Sequence, residues 1–411
     1  MGDSRLLANW KIGTGTEIHV FTQSEPSLKT AAAPVVVPET APVVAPVAVK
    51  KARQKGQSHK YKTFEEYVDE IDFNVSQLAL SHSYKPVKRN PVGPTKLPPS
   101  ISLKHQVYRH VDHVEVMNVA ELADFVREWR RSDMLVQRCG YLIGYYAADA
   151  HYGPSGTRAV VEAVYEPEQV GNMDGVEILG NPETDELVVR VSKALGLEVV
   201  GWVFTHLGRD KLVTGPEVIS MGRLQLAHAQ ENVHYTGYPV STFVTLTISP
   251  KESLKGEPGS DAFMISDLGL ALVRDGVLDE QTFPEDGKYC KIRTPDKDEL
   301  MPTLLETTKE TQQMDTDWLL VRLAESAPKQ TRSFIKRTQF PKTNRGPATF
   351  NDVQTFLNSS LPPHEKLADL HFLVFIAQSL GFESAEQIIN AIKTKTDIAQ
   401  DYYVLLNSLA S

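Results

Sequence analysis

The chain has 411 residues, 41% hydrophobic and 23% charged, a globular composition long enough for two or three domains. Its formal net charge of −9 argues against a general nucleic-acid binder. Its two cysteines, Cys139 and Cys290, exclude a disulfide framework or a four-cysteine zinc module and fit a reducing compartment. With no run of about 18 apolar residues to span a bilayer, and no signal-peptide pattern at the N-terminus, a cytosolic or nuclear protein is expected.

Glu17-Ile18-His19-Val20-Phe21 alternates like a short strand after a turn at Gly13-Thr14-Gly15. Residues 31–50 are almost wholly Ala, Val and Pro; the prolines remove backbone donors and hold the chain extended, so a linker is expected. Lys50, Lys51, Arg53, Lys55, Lys60 and Lys62 follow as a solvated basic stretch, with a nuclear-import signal as the alternative reading. Phe64, Tyr67, Val68 and Ile71 predict a short helix within 63–81. Residues 84–99, with five prolines and four basic residues, predict an extended tether.

The main domain opens near Ile101. Asn118 and Glu121 have capping-box spacing, and Leu122, Val126 and Trp129 recur at helical intervals. Strands are expected at 135–146 and 158–166, with Gly140 and Gly144 where close packing would help. A helix then starts at Asn181-Pro182 and stops at Gly196. Residues 198–206 read as a strand, 215–230 as a helix and 240–249 as a strand, while 264–273 reads as a strand leading into a short helix. This order predicts an α/β sandwich around one central sheet. The stretch 275–316 is acidic and without period. A smaller α+β C-terminal domain is expected beyond it, with strands at 318–323 and 333–340 and helices at 350–357, 366–380, 386–393 and 398–409.

Several segments resemble the nuclear protein localisation protein 4 family. They are Leu103 through Asp112, Gly140-Tyr141-Leu142-Ile143-Gly144, Tyr165-Glu166-Pro167, Leu195 through Phe204, and Ala271 through Asp275. Nearer the C-terminus come Gln339-Phe340-Pro341 with Asn344-Arg345, and Asp369 through Phe375. The matches run in order over residues 101–411. The resemblance implies an MPN (JAB1/MPN-like) α/β sandwich with an inactive metal site over 101–300 and a C-terminal domain over 301–411. Before them would lie a remnant of a ubiquitin-like domain (1–22), a linker (23–62) and a short helix with a Pro-rich tether (63–100). It also implies a non-catalytic adaptor with no cofactor. Its partners would be polyubiquitin, a ubiquitin-fusion-degradation partner protein and the AAA+ unfoldase known as valosin-containing protein, in cytoplasm and nucleus and peripherally at the endoplasmic reticulum. Nucleic acid and membrane insertion are not implied. The cysteine-rich fingers that animal and fungal members carry before the Tyr108-Arg109-His110-Val111-Asp112 stretch are absent, as in plant-like forms, so docking to the unfoldase would rest on other parts.

Active MPN peptidases use a glutamate as general base, with two histidines and an aspartate on zinc and a serine nearby. On this resemblance Gln137 takes the glutamate's place, and an amide is no base near neutral pH. Phe204 replaces the first histidine, His206 retains the second, and Thr214 and Glu217 fall near the serine and aspartate. The expectation is a peptidase shape without its mechanism, Phe204 filling the first ligand's place with apolar surface and His206 serving as a hydrogen-bonded strand-end histidine. The alternative is a divergent zinc deubiquitinase built on His206 and Glu217; a purely architectural MPN subunit is a third reading. The basic residues Arg332, Lys336, Arg337, Lys342 and Arg345 read as a solvated face, and Tyr108 through Asp112 as a structural entry to the domain.

Overall fold

The computed structural model describes residues 61–230, 234–281, 287–328 and 332–408. The expected turn and strand at 13–21, the Ala/Val/Pro linker and most of the basic stretch lie outside the described residues.

The centre is an eight-stranded mixed sheet: β1 (His113–Val116), β2 (Cys139–Ala148), β3 (Thr157–Tyr165), β4 (Glu198–Thr205), β5 (Val244–Pro250), β6 (Pro258–Ile265), β7 (Leu320–Arg322) and β8 (Ala324–Ser326). Their order is β7-β6-β5-β4-β2-β3-β1-β8. β4 lies inside it, antiparallel to β2 with Phe204 opposite Cys139, and parallel to β5 with Thr205 opposite Ile248. The register shifts between Ile143 and Gly144, where a Cβ on Gly144 would lie 1.8 Å from the Val160 carbonyl oxygen. Only glycine permits that approach, so the packing role expected of Gly144 is met by backbone contact.

The segment expected to open a C-terminal domain with a strand at 318–323 instead completes this sheet. Thr316–Leu319 is a 3-10 turn, β7 then pairs with β6, and β8 pairs with β1. Leu323 donates to the Ala262 carbonyl and Ala324 to that of Asp112, so one short stretch touches both outer edges.

One face of the sheet packs on α2 (Val119–Arg131), through Leu122, Phe125, Val126 and a fully buried Trp129 against Leu142, Val164, Val203 and Leu246. The other face carries α3 (Pro182–Leu195), α4 (Gly215–Ala227) and α5 (Asp267–Arg274). α3 is bounded as expected: the Asn181 side chain accepts from Thr184 N–H, and Gly196 ends the helix at φ +81°. The Asn118–Glu121 box does not form. The Asn118 amide donates to the Ile335 carbonyl, while the Glu121 carboxylate accepts from Val164 N–H and pairs with Lys342. Long-range partners have taken both groups.

Residues 61–110 form a strap across the α4–α5 side. α1 (Phe64–Glu70) is capped by Thr63, and Lys62–Thr63 pairs in parallel with Tyr108–Arg109. The strap is fastened at Asp267, whose buried carboxylate accepts from Tyr108 Oη (2.7 Å), Tyr238 Oη (2.7 Å) and His110 Nε2 (2.9 Å). The structural role expected for Tyr108 through Asp112 is therefore visible in detail. The Pro-rich tether and the stretch 275–316 differ from expectation. Val87–Lys88 pairs with Glu299–Leu300, Ile101–Ser102 with Leu304–Glu306, and Tyr289–Lys291 with Gln313–Asp315. Pairs this short carry no sequence period.

Among the described residues no strand follows Ser326, so the C-terminal part is helical and not α+β: α6 (Phe350–Leu357), α7 (Pro363–Lys366), α8 (Leu370–Leu380), α9 (Phe382–Thr394) and α10 (Gln400–Ser408). Residues 333–340 alternate in burial yet have no ladder partner. Ser333 Oγ lies within hydrogen-bond reach of the Glu162 carboxylate and the Ile335 carbonyl, so the two-residue period reports extended backbone alone. The expected helix at 366–380 is split because Asp369 caps α8, accepting from His371 and Phe372 N–H. Nor are the basic residues of 332–345 one solvated face. Arg332 and Lys336 are exposed, but Arg337 lies over the Phe356 ring, Lys342 is buried against Glu121, and Arg345 pairs with Glu166 and Asp124.

Candidate functional site

β4 delivers Phe204, Thr205 and His206 to the mouth of a cleft of about 910 Å³ between the sheet end and α4. Gln137, Phe204, His206, Thr214 and Glu217 all line it, so the structure brings together the five positions that the resemblance set at the metal site. Trp202, Met221, Leu224 and Ala227 complete an apolar wall. Two features were not anticipated. A hairpin, Gln169–Gly171 with Val176–Ile178, overhangs the cleft and turns on Asn172, whose side chain accepts from Asp174 and Gly175 N–H. Alternation around an Asn-to-Gly turn was the available signal. Arg209, the second, carried no sequence signal.

The polar groups of Gln137, Thr214 and Glu217 are committed to protein partners. Gln137 Oε1 accepts from Thr205 Oγ1 (2.8 Å), and its Nε2 donates to the Met134 and Met173 carbonyls. Thr214 is the N-cap of α4, its N–H donating to Glu217 Oε2 at 2.8 Å, the Glu217 half of a capping box. Arg209 grips the same carboxylate with both terminal nitrogens, Nη1 to Oε1 at 3.0 Å. Phe204, 9% exposed, sits with its ring centroid 6.2 Å from that of His206.

His206 Nδ1 lies 2.7 Å from the Leu207 carbonyl oxygen, while Nε2 is buried without a hydrogen-bond partner. Burial, reinforced by the Arg209 guanidinium, lowers its pKa to about 3. The unfolded chain therefore takes up a proton near pH 6.5 that the folded chain refuses until about pH 3. Stability from this group is fully present above pH 6.5 and is lost as pH falls through that window. We expect His206→Gln to flatten the acid limb of stability against pH by on the order of 3 kcal/mol, read from denaturant midpoints between pH 7 and 3.5. Parallel curves for the two proteins would contradict this.

A large helix-flanked sheet with a cleft at one strand end, joined to a helical C-terminal part, makes this a mixed α/β protein. The NPL4 family profile matches residues 138–409, and that for the NPL4 family's putative zinc binding region matches residues 47–133. The chain belongs to the NPL4 family. It is 28% identical over 372 residues to Nuclear protein localization protein 4 of Debaryomyces hansenii, covering 83% of this chain and 64% of the relative. The Saccharomyces cerevisiae protein of that name is 29% identical over 320 residues (68% and 54%), and the human homolog 29% over 343 (74% and 55%). The chain thus spans between 54% and 64% of the length of these relatives. Their shared name refers to nuclear protein localization and to no enzymatic reaction.

The zinc description does not fit this chain. No cysteine occurs between 47 and 133, and the described residues contain no group of three or more His, Cys, Asp or Glu able to hold a metal. No helix among them is long and apolar enough to cross a membrane.

Proposed function

We propose that this chain is a non-catalytic adaptor of pseudo-peptidase MPN type. It binds polyubiquitinated substrates and, with a ubiquitin-fusion-degradation partner, delivers them to the hexameric AAA+ unfoldase valosin-containing protein for extraction and proteasomal degradation, including from the endoplasmic reticulum. It works in cytoplasm and nucleus. One observation carries the reading: Gln137, Thr214 and Glu217 are tied to protein atoms and Phe204 offers no lone pair, yet the cleft over them remains about 910 Å³ and largely apolar-walled. Gln137 has no basic lone pair near neutral pH, and the Glu217 carboxylate is neutralised by Arg209. A cleft of that size and lining suits a polypeptide held by apolar contact with a few polar groups setting register.

We expect the chain to retain purified polyubiquitin in a pull-down while leaving every linkage intact, with or without a zinc chelator. Free ubiquitin that accumulates, and stops accumulating on chelation, would sink the adaptor reading in favour of a divergent zinc-dependent deubiquitinase.

A further inference from the structure

Three side chains at the rim of the large sheet form a hydrogen-bonded series that neither the cleft nor the strap uses. Along β1, Val114 and Val116 are sealed against α2, so the alternate positions His113 and Glu115 turn to the other face, where both are only half-buried. His113 Nδ1 lies 2.8 Å from Asp149 Oδ2, and His113 Nε2 is hydrogen-bonded to Ser326 Oγ at the end of β8. None of the three lines the 910 Å³ cleft, and β2, β3 and β1 stand between β4 and β8.

The backbone sets up both contacts. β8 runs parallel to β1 with Ala324 opposite His113 and Ser326 opposite Glu115, so Ser326 shares the face that His113 occupies. Asp149 is fixed from the other side: its N–H donates to the Gly156 carbonyl at 2.7 Å, and its Oδ1 accepts from His151 N–H at the start of the 3-10 turn Ala150–Tyr152. Burial would raise the Asp149 carboxyl, but the His113 hydrogen bond, the His151 N–H and the Arg158 guanidinium outweigh it, so the group is held as an anion. A carboxylate only accepts, which places a ring proton on His113 Nδ1. In the neutral ring the Nε2 lone pair then receives the Ser326 hydroxyl proton's hydrogen bond. A hydroxyl against an imidazole that a third group orients is the arrangement that makes a weak nucleophile an effective one. Ser326 and His113 are half-buried and not sealed, so a small electrophile can reach them.

We propose that Ser326 is an acyl-acceptor site, its Oγ attacking the carbonyl carbon of a small carboxylic ester with His113 as general base and Asp149 as the residue that positions it. The Oγ–H proton passes to His113 Nε2 as the Oγ–C bond forms. The ester C–O bond breaks, and the departing alkoxide takes the proton from Nε2 and leaves as the alcohol. Ser326 is left as an O-acylserine and His113 is neutral again. The site needs no ubiquitin and no group of the cleft, so it stands apart from the adaptor reading.

The test incubates the whole chain with p-nitrophenyl acetate near neutral pH, follows release of p-nitrophenolate and maps the acetylated residues by peptide mass spectrometry. Ser326 is expected to be acetylated ahead of every other serine and threonine. His113→Gln is expected to slow that acetylation about a hundredfold, the scale of a lost general base. Asp149→Asn, which keeps an accepting oxygen without the charge, is expected to slow it about tenfold, and Asp149→Glu, which restores the charge, to recover part of the loss. If Ser326 reacts no faster in the folded wild-type chain than in the urea-unfolded one, or reacts at the wild-type rate in His113→Gln, the three groups merely fasten the sheet rim and the proposal falls. Should His113→Gln fold poorly, the comparison of folded and unfolded wild-type chain decides the matter.

Discussion

Lys342→Ala is expected to cost about 4 kcal/mol of stability, the figure typical of leaving one partner of a buried ion pair alone. The Lys342 ammonium pairs with Glu121, and both side chains are nearly inaccessible, at 6% and 2%. Burial alone would raise the Glu121 carboxyl, but Lys342 and His371 outweigh it and carry it down to about 2. Removing Lys342 strands a carboxylate beneath α2, which must then take a proton or remain charged without a counter-ion. The pair joins α2 to the loop that leads into the C-terminal helices, so the loss loosens the junction. Replacing both partners by neutral groups, Glu121→Gln with Lys342→Met, leaves the amide oxygen to accept from Val164 and should destabilise less than Lys342→Ala alone. Denaturant unfolding of the three proteins is the check. If the single and double variants lose the same amount, the charge is not what matters.

Asp267→Ala is expected to be of comparable size but different in kind. It deprives two phenols and the His110 ring of their acceptor, and each stranded buried donor costs about 1–3 kcal/mol. Burial would raise the Asp267 pKa, yet His110, Tyr238 and Tyr108 bring it below the ordinary carboxylate value, so the anion is the anchored form. The partners lie on the strap (Tyr108, His110) and after α4 (Tyr238). Release should therefore begin with residues 61–110 peeling from α5. Limited proteolysis is expected to cut within the strap of Asp267→Ala at denaturant concentrations where the sheet still resists. Asp267→Asn, which retains one accepting oxygen, should fall between. Equal protection of the strap in all three proteins would argue that Phe64 and Tyr67 packing alone holds it.

Much of the fold was legible because it is local. The period in 119–131 and 198–205, and the Asn181 and Gly196 boundaries of α3, each arise from residues within a turn or two of one another. What was missed depends on distant groups. Glu121 looks like a cap from sequence and is claimed instead by Lys342, 221 positions away. Thr214 and Glu217 give the converse lesson. The resemblance set them near metal-site positions, whereas Thr-x-x-Glu at the start of α4 is itself a helix-start signature. At the candidate site the lining of the cleft was legible, since all five positions reach it. The commitment of their polar atoms was not, because Arg209 binds Glu217 through a loop without period.

The junction of β7 and β8 also decides what the two rims of the large sheet present. An open sheet edge offers a row of unpaired N–H and C=O groups, onto which any extended polypeptide can add. Here both outermost strands are only three residues long, and they are consecutive in the chain, tied at Leu323 and Ala324 to opposite sides of the sheet. The large sheet therefore offers little template for indiscriminate strand addition or self-association.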